Sequence, residues 1–275
     1  MKAWIKISDA ERDLGLVLKQ TAEQASSLFL EQGCLVMENA LPRSFVIRLS
    51  QAFSAETAEL DDEALLAAGL VVGVRRVMVP LLIKPPFDEP QLWANPILSA
   101  VLCVCLEAGF VLDACNVVVA LPGAPAQVLH RDNALPYGYD EVSVKMPPFA
   151  ITLAIPLLDL NDETGMTELY EGSHRQLLPT TAFSEDQAVR PGLRMGDAYF
   201  MDYRLVHGGT ANRSAVRRPI LYLIYTRPWY IDSHNHLREG VPALLIDPAS
   251  LQSVPAFMRF VFARASLGQS AGFRP

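Results

Sequence analysis

The sequence is short of cysteine, of charge and of any long unbroken apolar run, and each shortage closes a class of explanation. Four cysteines occur in 275 residues, Cys34, Cys103, Cys105 and Cys115, and none forms a C-x-x-C pair. That excludes a disulfide framework or a zinc ribbon and leaves them as small buried hydrophobes in a reducing compartment. The most apolar stretch, 97–121, is interrupted by Glu107, Gly109 and Asp113, so no membrane span is expected. The first six residues carry no signal-peptide run, and the expected location is the cytoplasm. Charged residues make up only 19%, and the 30 acidic side chains outnumber the 23 basic ones for a net charge of −7. Such a chain repels phosphate backbones, and Arg75-Arg76 and Arg217-Arg218 are too short to form a basic patch, so nucleic acid is not an expected partner. There is also no G-x-S-x-G elbow, no G-x-x-x-x-G-K loop and no G-x-G-x-x-G turn.

What is present suits one large soluble domain spanning 1–275, because no repeat, linker or low-complexity tract divides it. Apolar residues at helical spacing predict a helix over 10–32, stopped by Gly33, and a short strand over 34–37. Further helices are expected over 41–53, 61–68 and 90–108. After residue 110 the character changes. Strands are expected over 111–121, 149–158, 167–170, 198–202 and 220–226, separated by Pro147-Pro148, Asn161-Asp162, Gly165, Gly172, Gly196-Asp197 and Gly208-Gly209. A helical tail is expected around 251–265. The predicted layout is therefore a mostly helical part over 1–110, a β core over 111–228 and a tail over 229–275. Short strands with flanking helices and no β-α alternation point to a double-sheet jelly roll wrapped by helices.

Five histidines are available, His130, His174, His207, His234 and His236. In a strand, residues i and i+2 face the same way, so His130 and Asp132 could reach one metal ion together. A tripeptide of this kind is commonplace by itself. With a second histidine from a distant strand, His207, it makes two nitrogens and one carboxylate oxygen, the set that leaves non-haem Fe(II) with open positions for a keto acid and O2. Arg218 stands eleven residues after His207, at the start of an expected strand, where a guanidinium can grip a carboxylate with two parallel hydrogen bonds. A zinc hydrolase could use the same three ligands, but it would leave that arginine unexplained. His174 reads as a structural turn residue, and His234 and His236 as members of a solvated loop. Tyr137, Tyr139, Trp229 and Tyr230 default to packing, although Tyr137 and Tyr139 lie in a loop suited to substrate choice.

The series Gln127-x-x-His130-x-Asp132, Gly165-Met166-Thr167-Glu168, Glu171-Gly172-Ser173-His174, Gly196-Asp197 and His207-Gly208-Gly209-x-x-Asn212-x-Ser214-x-x-x-Arg218 resembles the phytanoyl-CoA dioxygenase family, in order, over about 121–229. The resemblance implies a mainly β fold with flanking helices around a double-stranded β-helix, the jelly roll shared with cupins. It also implies Fe(II), 2-oxoglutarate as co-substrate and O2. Carried over, His130, Asp132 and His207 match the metal triad and Arg218 the co-substrate arginine. Gln127 and Thr167 match positions that contact 2-oxoglutarate in fungal meroterpenoid oxygenases of the family. Those enzymes use a further arginine from an earlier strand, for which Arg75 and Arg76 are equally open. A carboxylate at 132 implies hydroxylation, since related halogenases have a small residue there. Glu171 stands where the family usually has proline. The implied partner is a small, hydrophobic organic substrate such as a secondary-metabolite intermediate, with a catalytically silent ligand- or partner-binding protein as the alternative. The oligomeric state is left open, a homodimer among the options.

Overall fold

The computed structural model describes residues 2–133, 135–232, 235 and 242–268. From the start come β1 (Trp4–Lys6), α1 (Asp9–Leu14), α2 (Lys19–Gln32), β2 (Cys34–Glu38), α3 (Arg43–Glu56) and α4 (Asp62–Ala68). A hairpin of β3 (Leu70–Gly73) and β4 (Arg76–Pro80) follows, then β5 (Leu82–Ile83), α5 (Pro90–Trp93), α6 (Pro96–Leu106) and β6 (Val111–Ala120). The rest holds β7 (Pro136–Tyr139), α7 (Glu141–Lys145), β8 (Ala150–Pro156), β9 (Thr167–Leu169), β10 (Ala198–Asp202) and β11 (His207–Gly209). It ends with β12 (Arg218–Thr226), β13 (Leu245–Ile246), α8 (Pro248–Ser253) and β14 (Ser266–Leu267).

Eight strands form the main sheet in the order β1-β2-β10-β8-β12-β6-β4-β3, and β11 pairs with β9 in a small second sheet. Single bridges, His130 to His207 and Leu169 to Val189, widen the small sheet on both sides. The two sheets make the jelly roll. Strand alternation decides what faces where. Val77, Val79, Val117, Val119, Ile151, Leu153, Leu221 and Leu223 point outward into one core with helix residues such as Phe29, Phe45, Leu49 and Val101. The alternate residues point between the sheets. Some of them, Val36, Ala154, Tyr199, Met201 and Ile220, form a second apolar cluster with Leu169 and Leu205. The others, toward the β4 and β6 end, line the site described below.

Several expected elements differ in extent. The helix predicted over 10–32 is two, because Gly15 takes a left-handed φ of 61° and ends α1. Leu14 and Leu16, whose spacing suggested its apolar face, are exposed. The helix predicted over 90–108 is broken at Asn95, whose side chain caps α6 by accepting from the amides of Ile97 and Leu98. The tail is α8 and then a 3-10 helix (Ala256–Phe262), since Pro255 cannot continue an α-helix. Besides β2, the strand expected over 34–37, the first 110 residues supply β1, β3, β4 and β5, and β1 to β4 join the main sheet, whose core was expected beyond residue 110. Cys34, Cys105 and Cys115 are buried as expected, whereas Cys103 is exposed on the outer side of α6. Among the described residues no helix is long and apolar enough to cross a membrane.

Candidate active site

The inward residues of β4, β6, β8, β10 and β12, with parts of β9, β11 and the chain before Asp132, enclose a cavity of about 570 Å³. His130, Asp132 and His207 stand on its wall, and their ligand atoms all lie within 4.8 Å of one another. His207 opens β11, and its main chain exchanges two hydrogen bonds of 2.9 Å with His130. That exchange aligns the two rings, whose centroids are 4.4 Å apart. The expectation that His130 and Asp132 share a strand face is not how they meet. The chain leaves the sheet after the single bridge at His130, and Asp132 sits in a bend.

Each histidine is fixed through the nitrogen that faces away from its neighbours. Nδ1 of His130 bonds the carbonyl of Val128 at 2.9 Å, and Nδ1 of His207 bonds that of Leu205 at 3.0 Å. Carbonyls only accept, so Nδ1 carries the proton and Nε2 keeps its lone pair for a metal. Thr152 donates its hydroxyl to Asp132 Oδ2 at 2.9 Å, and Oδ1 lies 3.4 Å from His207 Nε2. Burial alone would raise the Asp132 pKa, but the charge and hydrogen bond of His207 hold it well below the usual carboxylate range. Burial likewise works against protonated His207, and Asp132 outweighs it to raise that pKa. His130 moves down, through burial and then the nearby His207. Two neutral-capable imidazoles and one ionised carboxylate make a donor set that fits a divalent ion such as iron.

The other end of the cavity holds two guanidinium groups. Arg218 begins β12 and is 3% exposed; its Nη1 reaches the Met166 carbonyl at 3.3 Å and its Nε has no partner. Arg76 begins β4 and is fully buried. Its Nη2 serves the carbonyls of Pro125, Gly209 and Thr210 at 2.6, 3.3 and 2.7 Å, while Nε and Nη1 are unpaired. Burial and the like charge of Arg218 push its pKa down to about 10. Arg75, one residue earlier, takes a positive φ of 52° and turns away to Asp62 and the Pro122 carbonyl. Alternation therefore separates the two arginines that the sequence left equal. The signal was available, because two β-branched runs flanking Gly73-Val74-Arg75 spell a hairpin.

The remaining expected residues border the same space. Gln127 pairs with Gly209 through main chain and side chain, its Oε1 accepting from the Gly209 amide at 3.0 Å, and its Nε2 donates to the Val72 carbonyl at 3.1 Å. Thr167 is buried, its hydroxyl 2.9 Å from that of Tyr199, which is 3.4 Å from the Tyr222 hydroxyl. A side chain on Gly209 would meet Gln127 Oε1 at 2.7 Å and Arg76 Nη1 at 2.9 Å, so only glycine leaves the space between the arginines open. Asn212 and Ser214 build the turn before β12, since the Asn212 side chain bonds the carbonyls of Ala120 and Val216 and accepts from Ser214. His174 is buried against the Leu30 carbonyl, the structural role expected of it. Tyr137, Tyr139 and Trp229 are more than half exposed and do not line the cavity. His234 and His236 lie outside the described residues. Sequence reasoning missed Met78, Val118, Tyr203, Tyr222 and Ile224 as wall residues, because apolar and tyrosine side chains at such positions look like any core, and Asn235, because it stands in a polar stretch.

Comparison with known proteins gives a consistent answer. The family model described as phytanoyl-CoA dioxygenase matches residues 29–220. Dioxygenase trt7 of Aspergillus terreus is 26% identical over 231 residues, covering 82% of this chain and 79% of its own. Multifunctional dioxygenase ausE of Penicillium brasilianum is 26% identical over 224 residues, covering 75% and 73%. Among solved structures, the non-heme alpha ketoglutarate dependent epimerase SnoN from nogalamycin biosynthesis superposes with a TM-score of 0.58 at 19% identity, over 81% of this chain and 93% of that one. HygX from Streptomyces hygroscopicus, with nickel and 2-oxoglutarate bound, superposes with a TM-score of 0.59 at 16% identity, over 79% and 90%. Fold, donor set and sequence match together establish that this chain belongs to the phytanoyl-CoA dioxygenase family and is a non-haem iron, 2-oxoglutarate-dependent oxygenase.

Proposed function

We propose that the chain oxidises a small, largely apolar organic molecule in the 570 Å³ cavity, with His130, Asp132 and His207 as the iron ligands and Arg218 and Arg76 as the anchor for the distal carboxylate of 2-oxoglutarate. The observation that carries this reading is the pair of buried guanidiniums with unpaired nitrogens, set in a cavity where, among the described residues, Asp132 of the triad is the only carboxylate on the wall. Two like charges out of water are costly unless an anion joins them, and a dicarboxylate that also reaches the metal supplies one. Gln127 and Thr167 border that end, and Gln127 also ties β3 to β11. Iron, when bound, would supply the activation of O2. The protein's part is to hold three ligands on one side of the ion, fix both imidazoles by their Nδ1 protons and exclude water with Leu70, Val72, Met78, Val118 and Ile224. Those apolar walls support a hydrophobic substrate, and the small-molecule complexes of structural neighbours, such as SnoN with nogalamycin RO, are in keeping with it.

The test is anaerobic addition of Fe(II) and 2-oxoglutarate to metal-free protein, observing the weak visible charge-transfer band of the chelate. The band is expected in the wild type and absent in His207→Ala and Arg218→Ala. No band in folded wild-type protein would overturn the reading.

A further inference from the structure

The chain carrying Asp132 bonds β11 at Gln127 and last at His130, so its next peptide groups must find partners elsewhere. Residues that follow β12, together with Tyr203 after β10, provide them. Asn235 donates its side-chain amide to the Asp132 carbonyl at 2.5 Å and to Asp232 Oδ2 at 3.1 Å, and its main-chain N–H donates to Asp232 Oδ1 at 2.9 Å. Asp232, buried, also accepts the Tyr203 hydroxyl at 3.1 Å. Next to Asp132, the Asn133 amide N–H bonds the Tyr203 carbonyl at 3.1 Å, and its side chain bonds the Tyr230 hydroxyl. A main-chain carbonyl and a carboxylate can only accept, so the Asn235 amide has one possible orientation, with both Nδ2 protons spent. Asn235 also lines the cavity, which places this link at the site.

Asp132 thus has two supports of different kinds. Thr152 holds its carboxylate through Oδ2, which sets the rotation of that group. Asn235 holds its main chain, which sets how far the carboxylate projects toward the two histidines. We propose that Asn235, fixed by Asp232, is a positioning residue for the metal carboxylate, holding Asp132 at ligating distance where no sheet pairing does so. This rests on the metal reading above. It assigns a role in the site to a residue more than a hundred positions away from Asp132 and outside every motif quoted from the sequence.

The test uses Co(II), which is stable in air, as the probe, and Asn235→Leu, which keeps the volume and the neutrality but removes both donors. Two quantities are read: the Co(II) dissociation constant by absorbance titration, and the thermal midpoint of the metal-free protein. Loss of a partner that orients a ligand weakens metal binding by about tenfold or more. The expected result is that loss, with the metal-free midpoint moving by no more than about 4 °C. Asn235→Gln, whose longer amide can still donate, is expected to recover part of the affinity. Unchanged Co(II) affinity in Asn235→Leu overturns the proposal. So does a large fall in midpoint with unchanged affinity of the folded fraction, which would make Asn235 a packing residue. A wild type that binds no Co(II) fails earlier, and would remove the metal-site reading itself along with the proposal.

Discussion

At the scale of single residues, the site depends on what glycine omits as much as on what arginine adds. Gly209 separates Gln127 Oε1, Arg76 Nη1 and Arg218 Nη2, and an added Cβ would stand 2.7, 2.9 and 3.2 Å from them. Gly209→Ala should displace a guanidinium and forfeit a charge-assisted hydrogen bond worth about 1.5–3 kcal/mol. Titration of the chelate band should then show 2-oxoglutarate binding weakened about 10- to 100-fold, with Fe(II) affinity retained. The same titration separates the two adjacent arginines. Arg76→Leu should weaken 2-oxoglutarate on the order of 100-fold, as loss of a buried charged partner does, whereas Arg75→Ala should change it by less than about twofold, its bonds being to Asp62 and Pro122 on a partly exposed surface. Equal effects would reject the assignment of Arg76. His130, Asp132, His207 and Arg218 were legible as residues that would share one cavity, because histidine, aspartate and arginine carry their chemistry in their identity. Asn235 was not, because an asparagine in a polar stretch acquires meaning only through the carbonyl it meets.

At the scale of elements, the Gly172-Ser173-His174 turn joins the end of α2 to the small sheet. The Gly172 amide bonds the Gln32 carbonyl at 2.7 Å, and the Ser173 hydroxyl accepts the Val206 amide at 2.8 Å, one residue before His207. Gly33, which ends α2 with φ of 72°, packs under His174, where a Cβ would lie 2.3 Å from the ring. Gly33→Ala adds a left-handed backbone penalty to that overlap and should cost roughly 2–4 kcal/mol, read as a lower urea midpoint with an unchanged slope. A loss below about 0.5 kcal/mol would show that the turn yields freely. Strands β6, β8 and β12 were legible because they are long runs with β-branched residues bounded by turn residues, and β10 because Tyr199-Phe200 follows the Gly196-Asp197 turn. The β3–β4 hairpin was passed over because Arg75-Arg76 interrupts its apolar pattern, although the interruption marks its turn and its inward charge. The helix over 10–32 was overextended because Leu14 and Leu16, part of its apparent helical pattern, proved to be exposed, so periodicity was present without a core to serve.

At the scale of the whole molecule, the main sheet draws strands from residue 4 to residue 226, so the helical beginning and the β core share one hydrogen-bonded framework. The jelly roll was predictable from strand number and turn spacing. The order of its strands was not, since pairing over such sequence distances leaves no local mark. Because the residues that could hold a metal come from two distant segments, His130 with Asp132 and His207 some 75 positions later, a bound ion should stabilise the framework that joins them. Metal at a hundred times its dissociation constant contributes about 2.7 kcal/mol, which for a chain of this size raises the thermal midpoint by roughly 5–11 °C. Differential scanning fluorimetry with Mn(II) or Co(II), reversed by EDTA, checks this. No shift would mean that metal binds both folded and unfolded chain, or neither.

The facing of Arg76 and Arg218 in one cavity, as the proposed anchor of a dicarboxylate, has a metabolic consequence. Their mutual repulsion is relieved by any compact dianion, whether or not it can be oxidised. On the proposed anchoring, succinate, the spent form of the co-substrate, would compete for the same two arginines, so turnover would be throttled by its own waste. In a cell the resting enzyme would be charged with whichever small dicarboxylate prevails, and the ratio of 2-oxoglutarate to its competitors would govern its output.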